Sequence, residues 1–100
     1  MKVFLDDERQ TPEGWVRTYT VNETIDLLKS GEVTDLSLDN DLGEGIAEGY
    51  KVLDWLEEEV VTKGFKPPAN ISAHSQNAVR RVYMRDLIKR IHNLYERFHE

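Results

Sequence analysis

The chain has 100 residues, 39% of them hydrophobic, and a formal net charge of −6. That length suits one core and not two, so residues 1–100 are read as a single domain. Cysteine is absent, which removes disulfides, thiolate metal sites and cysteine nucleophiles. No apolar run nears membrane-spanning length and no leader pattern opens the chain, so a cytoplasmic protein with no membrane association is expected, and the acidic balance argues against duplex DNA as a partner.

The first element is "KVFL" at residues 2–5, a short apolar run bounded by "DDER" that reads as a buried strand. "GWVRTY" at 14–19 is a weaker strand in which Trp15 and Arg17 point one way and Val16 and Thr18 the other. "TVNETIDLLKSG" at 20–31 predicts a helix. Thr20 and Glu23 have capping-box spacing, Val21, Ile25 and Leu28 share a face, and Gly31 closes the end. "VTDLSLD" at 33–39 alternates Val33, Asp35, Ser37 and Asp39 against Thr34, Leu36 and Leu38, which suits a strand. A second helix is expected over 48–64, with Tyr50, Leu53, Leu56 and Val60 as its stripe and Gly64 as its stop. The prolines of "PPANISAHS" at 67–75 force a turn before a fourth strand. A long helix then runs from about Gln76 to His99, with Val79, Tyr83, Leu87, Ile91, Leu94 and Phe98 inward. This order, β, β, α, β, α, β, α, predicts a mainly parallel sheet covered by helices. Its weak joint is "DERQTPEG", which is short for a parallel crossover.

In an open parallel sheet, ligands bind beyond the carboxyl ends of the strands. The first strand ends in Asp6-Asp7-Glu8, the third in Asp39-Asn40-Asp41 and the fourth in His74-Ser75-Gln76-Asn77, so three polar clusters are expected on one edge. Carboxylates forced together repel unless a cation or proton offsets them. Oxygen donors without thiolates favour a hard divalent ion, Mg²⁺ above all. The start of the last helix, with Ser75 or Asn77 as cap and Arg80 and Arg81 one turn in, suits a phosphate. Residues 1–74 hold 7 Lys and Arg against 16 Asp and Glu, net −9, whereas residues 75–100 hold 6 against 3, net +3. An acidic body with a basic last segment fits a cation site facing an anion site.

Each piece has a plainer reading. "DDER" is equally a solvated turn, Asp39 a backbone cap, His74 a hydrogen-bonded core residue, and Arg80 and Arg81 a solvated helix face. Trp15 and Trp55 read as core more readily than as stacking platforms, and His92 and His99 receive no role. Asp39, Asp41 and Gly43 echo the start of a calcium-binding EF-hand loop, but Tyr50 stands where that loop needs glutamate. The joint placement carries the argument.

"FLDDER", "LDNDLG" followed by "GYKVLDWL", and a His/Ser pair at the fourth strand end together resemble the receiver domain of response regulators. That resemblance implies a receiver-like, flavodoxin-like α/β fold: a shortened four-stranded sheet of order 2-1-3-4, flanked by helices, with a long C-terminal helix. By position it implies that Asp6 and Asp7 help bind Mg²⁺ and that Asp39 matches the phospho-accepting aspartate, with Asp41 where a receiver offers a metal-binding carbonyl. A receiver also has a fifth strand ending in lysine, which this sequence lacks. "LDDER…P.GW", "SLDxDLG…GY" and "HSxN", spanning roughly residues 3–81, are similar to a narrower group, the cyclic-phosphate processing receiver-like domains.

The resulting expectation is a metal-dependent phosphoesterase acting on a cyclic phosphate, whether an RNA 2′,3′-cyclic phosphate end or a cyclic nucleotide. Asp6, Asp7, Asp39 and Asp41 would bind Mg²⁺ or another hard divalent cation, and His74 and Asp39 would carry catalysis. Ser75, Asn77, Arg80 and Arg81 would hold phosphate oxygens. The partner would be a phosphorylated small molecule or an RNA end. Two alternatives stand beside it: a signalling module phosphorylated on Asp39, and a non-catalytic binder of a phosphate ligand or a protein.

Overall fold

A computed structural model describes residues 1–98. The elements are β1 (Lys2–Leu5), β2 (Val16–Thr18), α1 (Val21–Leu28), β3 (Asp35–Leu38), α2 (Tyr50–Lys63), β4 (Asn70–Ala73) and α3 (Ala78–Phe98). The four strands form one sheet of order β2-β1-β3-β4, parallel at every pairing. This is the receiver-like α/β architecture expected from the sequence. Among the described residues there is no fifth strand, and β4 is an edge.

The short joint resolves through two economies. β2 is only three residues long, and residues 6–15 cross from β1 to β2 with no helix at all. Asp6 turns the chain at once, because its Oδ1 accepts the N–H groups of Glu8 and Arg9 at 2.8 and 2.9 Å. A carboxylate that satisfies the next two or three amides replaces the turn a helix would otherwise begin.

The helices are punctuated as their sequences require. Thr20 caps α1 by accepting the N–H of Glu23. Gly64 ends α2 with φ 66°, and the N–H groups of Gly64 and Phe65 reach back to the carbonyls of Val60 and Glu59, a left-handed glycine cap that satisfies two otherwise orphaned acceptors. Asn77 caps α3 through Oδ1, which accepts the N–H of Arg80.

One core cluster joins Val3, Leu5, Leu36 and Leu38 of the sheet to Val21 and Leu28 of α1, Val52, Leu53, Leu56 and Val60 of α2, and Met84, Leu87, Ile88 and Ile91 of α3. All three helices therefore bury their stripes on one face of the sheet. Phe4, although buried, is outside that cluster; it points to the opposite face, where Trp15 from the 6–15 connection packs edge-on against it. Trp55 joins the core margin as expected, and Trp15 does not. The inward stripe of α3 also differs from expectation. Val79 is 79% exposed, and Tyr83 and Phe98 are also exposed, while Met84 and Ile88 are buried. Leu87 and Ile91 belong to both stripes, so the two readings differ by a rotation of the helix that periodicity alone does not fix. His92 is structural, its Nε2 lying 2.9 Å from the carbonyl of Pro68. His99 lies outside the described residues.

Candidate functional site

Register builds the site. Leu5, Leu38 and Ala73 are partners across β1, β3 and β4, and the ladder runs one step further: Asp39 N–H donates to the carbonyl of Leu5 and His74 N–H to that of Leu38, both at 2.9 Å. Asp6, Asp39 and His74 thus stand side by side at the carboxyl edge of the sheet, on the face without helices. Their potential ligand atoms all lie within 4.8 Å of one another.

Within this row the bonding is specific. His74 Nε2 lies 2.9 Å from Asp6 Oδ2, its Nδ1 lies 2.7 Å from Ser37 Oγ, and its ring stacks flat on Phe4 with centroids 4.5 Å apart. Both ring nitrogens have partners, and Ser72 Oγ extends the chain by donating to Ser37 Oγ. Asp6 is fully buried. Burial alone would raise its pKa, but the N–H groups of Arg9 and Glu8 and the His74 imidazole outweigh it and hold the carboxyl below its ordinary value. Asp39 goes the other way. Burial raises its pKa, the N–H of Asn40 offsets this only in part, and the charges of Asp6 and Asp7 add to the rise. Among the described residues no cationic side chain is ion-paired with Asp39.

Beyond the row opens a cleft of about 330 Å³ lined by Asp6, Asp7, Glu8, Arg9, Asp39, Asp41, Gly43 and Gln76. The wall carrying Asp41 is held by Asn40, which is fully buried. Asn40 Nδ2 donates to Glu48, its Oδ1 accepts the N–H of Tyr50, and its carbonyl accepts the N–H of Gly49. The 41–48 loop is therefore tied at both ends to one side chain. Gly49 is buried where a Cβ would stand 1.8 Å from the Asp39 carbonyl oxygen, so the loop can close only with glycine there. The "LDNDLG…GY" spacing is thus, in large part, the geometry of a clamp.

The residues proposed from sequence fall into two groups. Asp6, Asp39 and His74 meet, and Asp7 and Asp41 line the same cleft. The phosphate-binding set is placed elsewhere. Ser75 is buried, with Oγ accepting the N–H of Asn77; Asn77 is spent as the cap of α3; and Arg81 donates to the carbonyl of Ser75. Arg80 lies 3.5 Å from Glu48 and over the rings of Tyr50 and Tyr83. All four make local capping, backbone or ion-pair contacts, and none lines the cleft. The cation in the cleft is Arg9, whose side chain is 46% exposed with Nε 3.9 Å from Asp6. Arg9, Ser37, Asn40 and Gln76 were not singled out from sequence. Ser37 was within reach, since strand alternation puts it on the face of Asp39, but nothing local distinguishes Arg9 from a solvated turn residue.

A parallel sheet of order 2-1-3-4 with an acidic cleft at its carboxyl edge defines a receiver-like domain. A family model described as the cyclic-phosphate processing receiver domain matches residues 1–90, and the chain belongs to that family. No curated protein and no solved structure matches the chain. Among the described residues, no helix is long and apolar enough to cross a membrane.

Proposed function

We propose that this domain is a metal-dependent phosphoesterase that opens a cyclic phosphate by hydrolysis. The observation that carries the reading is the row of Asp6, Asp39 and His74, brought within 4.8 Å by strand register, with Asp6 and Asp39 lining the cleft and His74 directly behind Asp6. The donor set fits a hard divalent cation such as Mg²⁺: it offers several carboxylate oxygens, no thiolate, and a raised Asp39 carboxyl that needs countercharge. Asp6 and Asp39, with Asp7 and Asp41 at the rim, would hold that ion, which supplies positive charge to the phosphate oxygens.

The chain's own groups account for the rest. Arg9 reaches into the cleft as the cation for a phosphate oxygen. His74 in its protonated form donates from Nδ1 to Ser37 and from Nε2 to Asp6, so Phe4 and two acceptors fix its ring plane. As the ester oxygen leaves, it takes the Nε2 proton in place of Asp6 Oδ2, which releases that hydrogen bond. Water adds its oxygen to phosphorus, one ring P–O bond breaks, and the proton shed by the water restores the imidazolium, so one water is consumed and a phosphomonoester forms. Asp6 acts here as a positioning residue for the imidazole.

The test is a screen of cyclic mononucleotides, cyclic dinucleotides and RNA ending in a 2′,3′-cyclic phosphate, with Mg²⁺ and with chelator, on wild type and His74→Ala. Turnover should require the metal and fall roughly 10²–10⁴-fold in the variant, the usual worth of a positioned acid. Unchanged turnover per folded molecule in His74→Ala would remove the histidine from the chemistry.

A further inference from the structure

Arg17 has no place in the chemistry described so far, and its guanidinium is not satisfied. Nε and Nη2 are buried without a hydrogen-bond partner, and among the described residues no carboxylate is ion-paired with it. The contact it does make is with Tyr19, whose ring lies 5.1 Å from the Arg17 Cζ. Buried donors are paired in nearly all native structures, so an unpaired guanidinium asks for a missing acceptor.

Its position says which acceptor. Arg17 is the register partner of Phe4, and Phe4 lies under the His74 ring, so Arg17 shares the helix-free face with the row of Asp6, Asp39 and His74. It stands one strand over and two residues short of Asp6, a Cα separation of about 8 Å by strand geometry. Trp15 and Tyr19, two residues away on either side, share its side of β2, and Tyr19 is 51% exposed. A planar cation against the exposed Tyr19 ring, a nucleotide's length from a phosphate cleft, is suited to a second phosphate with its base stacked alongside. We infer that Arg17 forms a second anion subsite, taking a phosphate one nucleoside away from the phosphate in the acid cleft, with Tyr19 swinging aside to admit it. The ligand is then a cyclic phosphate that carries a further phosphate, either the 5′-phosphate of a mononucleotide or an internucleotide linkage. This rests on the phosphoesterase reading for what fills the cleft, and not for the subsite itself.

The test uses the full chain carrying His74→Ala, ¹⁵N-labelled, with Mg²⁺ present, so that probes are bound but turned over slowly, and follows the Nε–H signals of Arg9 and Arg17. The probes are a nucleoside 2′,3′-cyclic phosphate with a 5′-hydroxyl, the same compound with a 5′-phosphate, a dinucleotide ending in the cyclic phosphate, and inorganic phosphate. The 5′-hydroxyl probe should move Arg9 alone. The 5′-phosphate probe should move both signals and bind roughly tenfold tighter, the scale of one charge-assisted hydrogen bond. That gain should vanish in Arg17→Gln and return in part in Arg17→Lys, with affinity for the 5′-hydroxyl probe unchanged in both. A gain with the dinucleotide but not the 5′-phosphate probe identifies the linkage phosphate as the occupant; the reverse identifies the terminal one. If the 5′-hydroxyl probe leaves Arg9 unmoved, the cleft reading fails, and a saturable shift of Arg17 with inorganic phosphate still sustains the subsite. An Arg17 signal unmoved by every probe, or a tenfold gain that survives Arg17→Gln, overturns it.

Discussion

On one face of the sheet Val3, Leu5, Leu36 and Leu38 lie under three helices in a single core. On the other, one residue along each strand, stand Phe4, Asp6, Ser37 and Asp39, joined by His74 and Arg17. Because side chains alternate strictly along a strand, each strand of a few residues serves both faces at once. Stability is concentrated on the covered face, where burying apolar area is favourable. The helix-free face holds polar groups whose burial is costly, Asp6 and Ser37 among them, and hydrogen bonds among themselves offset that cost. Chemistry and folding are therefore separable to within one residue, and substitutions can probe that separation.

The largest effect is expected where the two faces are tied together. In Gly49→Ala the new Cβ would meet the Asp39 carbonyl, so the loop must open or α2 must shift, at a cost of about 3–5 kcal/mol. Chemical denaturation of the metal-free protein should show it, and a loss under about 1 kcal/mol would mean that the clamp is soft. Next comes the adjacent pair Leu38 and Asp39. Leu38 is fully buried, and Leu38→Ala should cost about 2–5 kcal/mol. Asp39→Asn, one residue along, should leave the metal-free fold as stable or slightly more so while removing turnover. Equal destabilisation by both would erase the distinction between the faces. Asn40→Ala should cost about 1–3 kcal/mol, since it breaks the Glu48 and Tyr50 hydrogen bonds of a buried side chain. Amide exchange should quicken across residues 41–50 before it quickens in β1.

The smallest effect lies in pH dependence, and its sign differs for two neighbours. The Asp39 pKa is raised in the folded chain, so its protonated form favours folding, a contribution present below the ordinary value of 3.8 and lost as pH rises through the folded pKa. The Asp6 pKa is lowered, so its contribution is present above 3.8 and lost as pH falls through the folded pKa. Without metal, the Tm gain of Asp39→Asn should shrink as pH falls toward 3.8, whereas the Tm loss of Asp6→Asn should shrink only as pH falls below it. Thermal melts of both variants between neutral pH and pH 3 check this, and gains or losses independent of pH would contradict it.

Much of this was legible from the chain. Alternation and capping signals gave the strands and helices in order, and the carboxyl-edge rule then brought Asp6, Asp39 and His74 together. What the chain leaves open shares a cause. A helix start offers Ser75, Asn77, Arg80 and Arg81 to a phosphate, but caps and ion pairs engage the same groups, and sequence does not show which partner each takes. The α3 stripe failed for a related reason: two apolar faces overlap at Leu87 and Ile91, and only the sheet beneath decides between them. Arg9 and Arg17 sit on a loop and an edge strand, where a functional cation and a solvated one look the same until their partners are known.

Phosphorus-31 NMR tests most directly whether the helix-free face holds a cation-dependent phosphoesterase site. A nucleoside 2′,3′-cyclic phosphate incubated with wild type should convert its ring signal to a monoester signal with Mg²⁺ and not with chelator, and Asp39→Asn should abolish the conversion without lowering Tm. Conversion that proceeds equally in Asp39→Asn, or none for this compound, a cyclic dinucleotide and a cyclic-phosphate RNA end with Mg²⁺ or Mn²⁺, would contradict it.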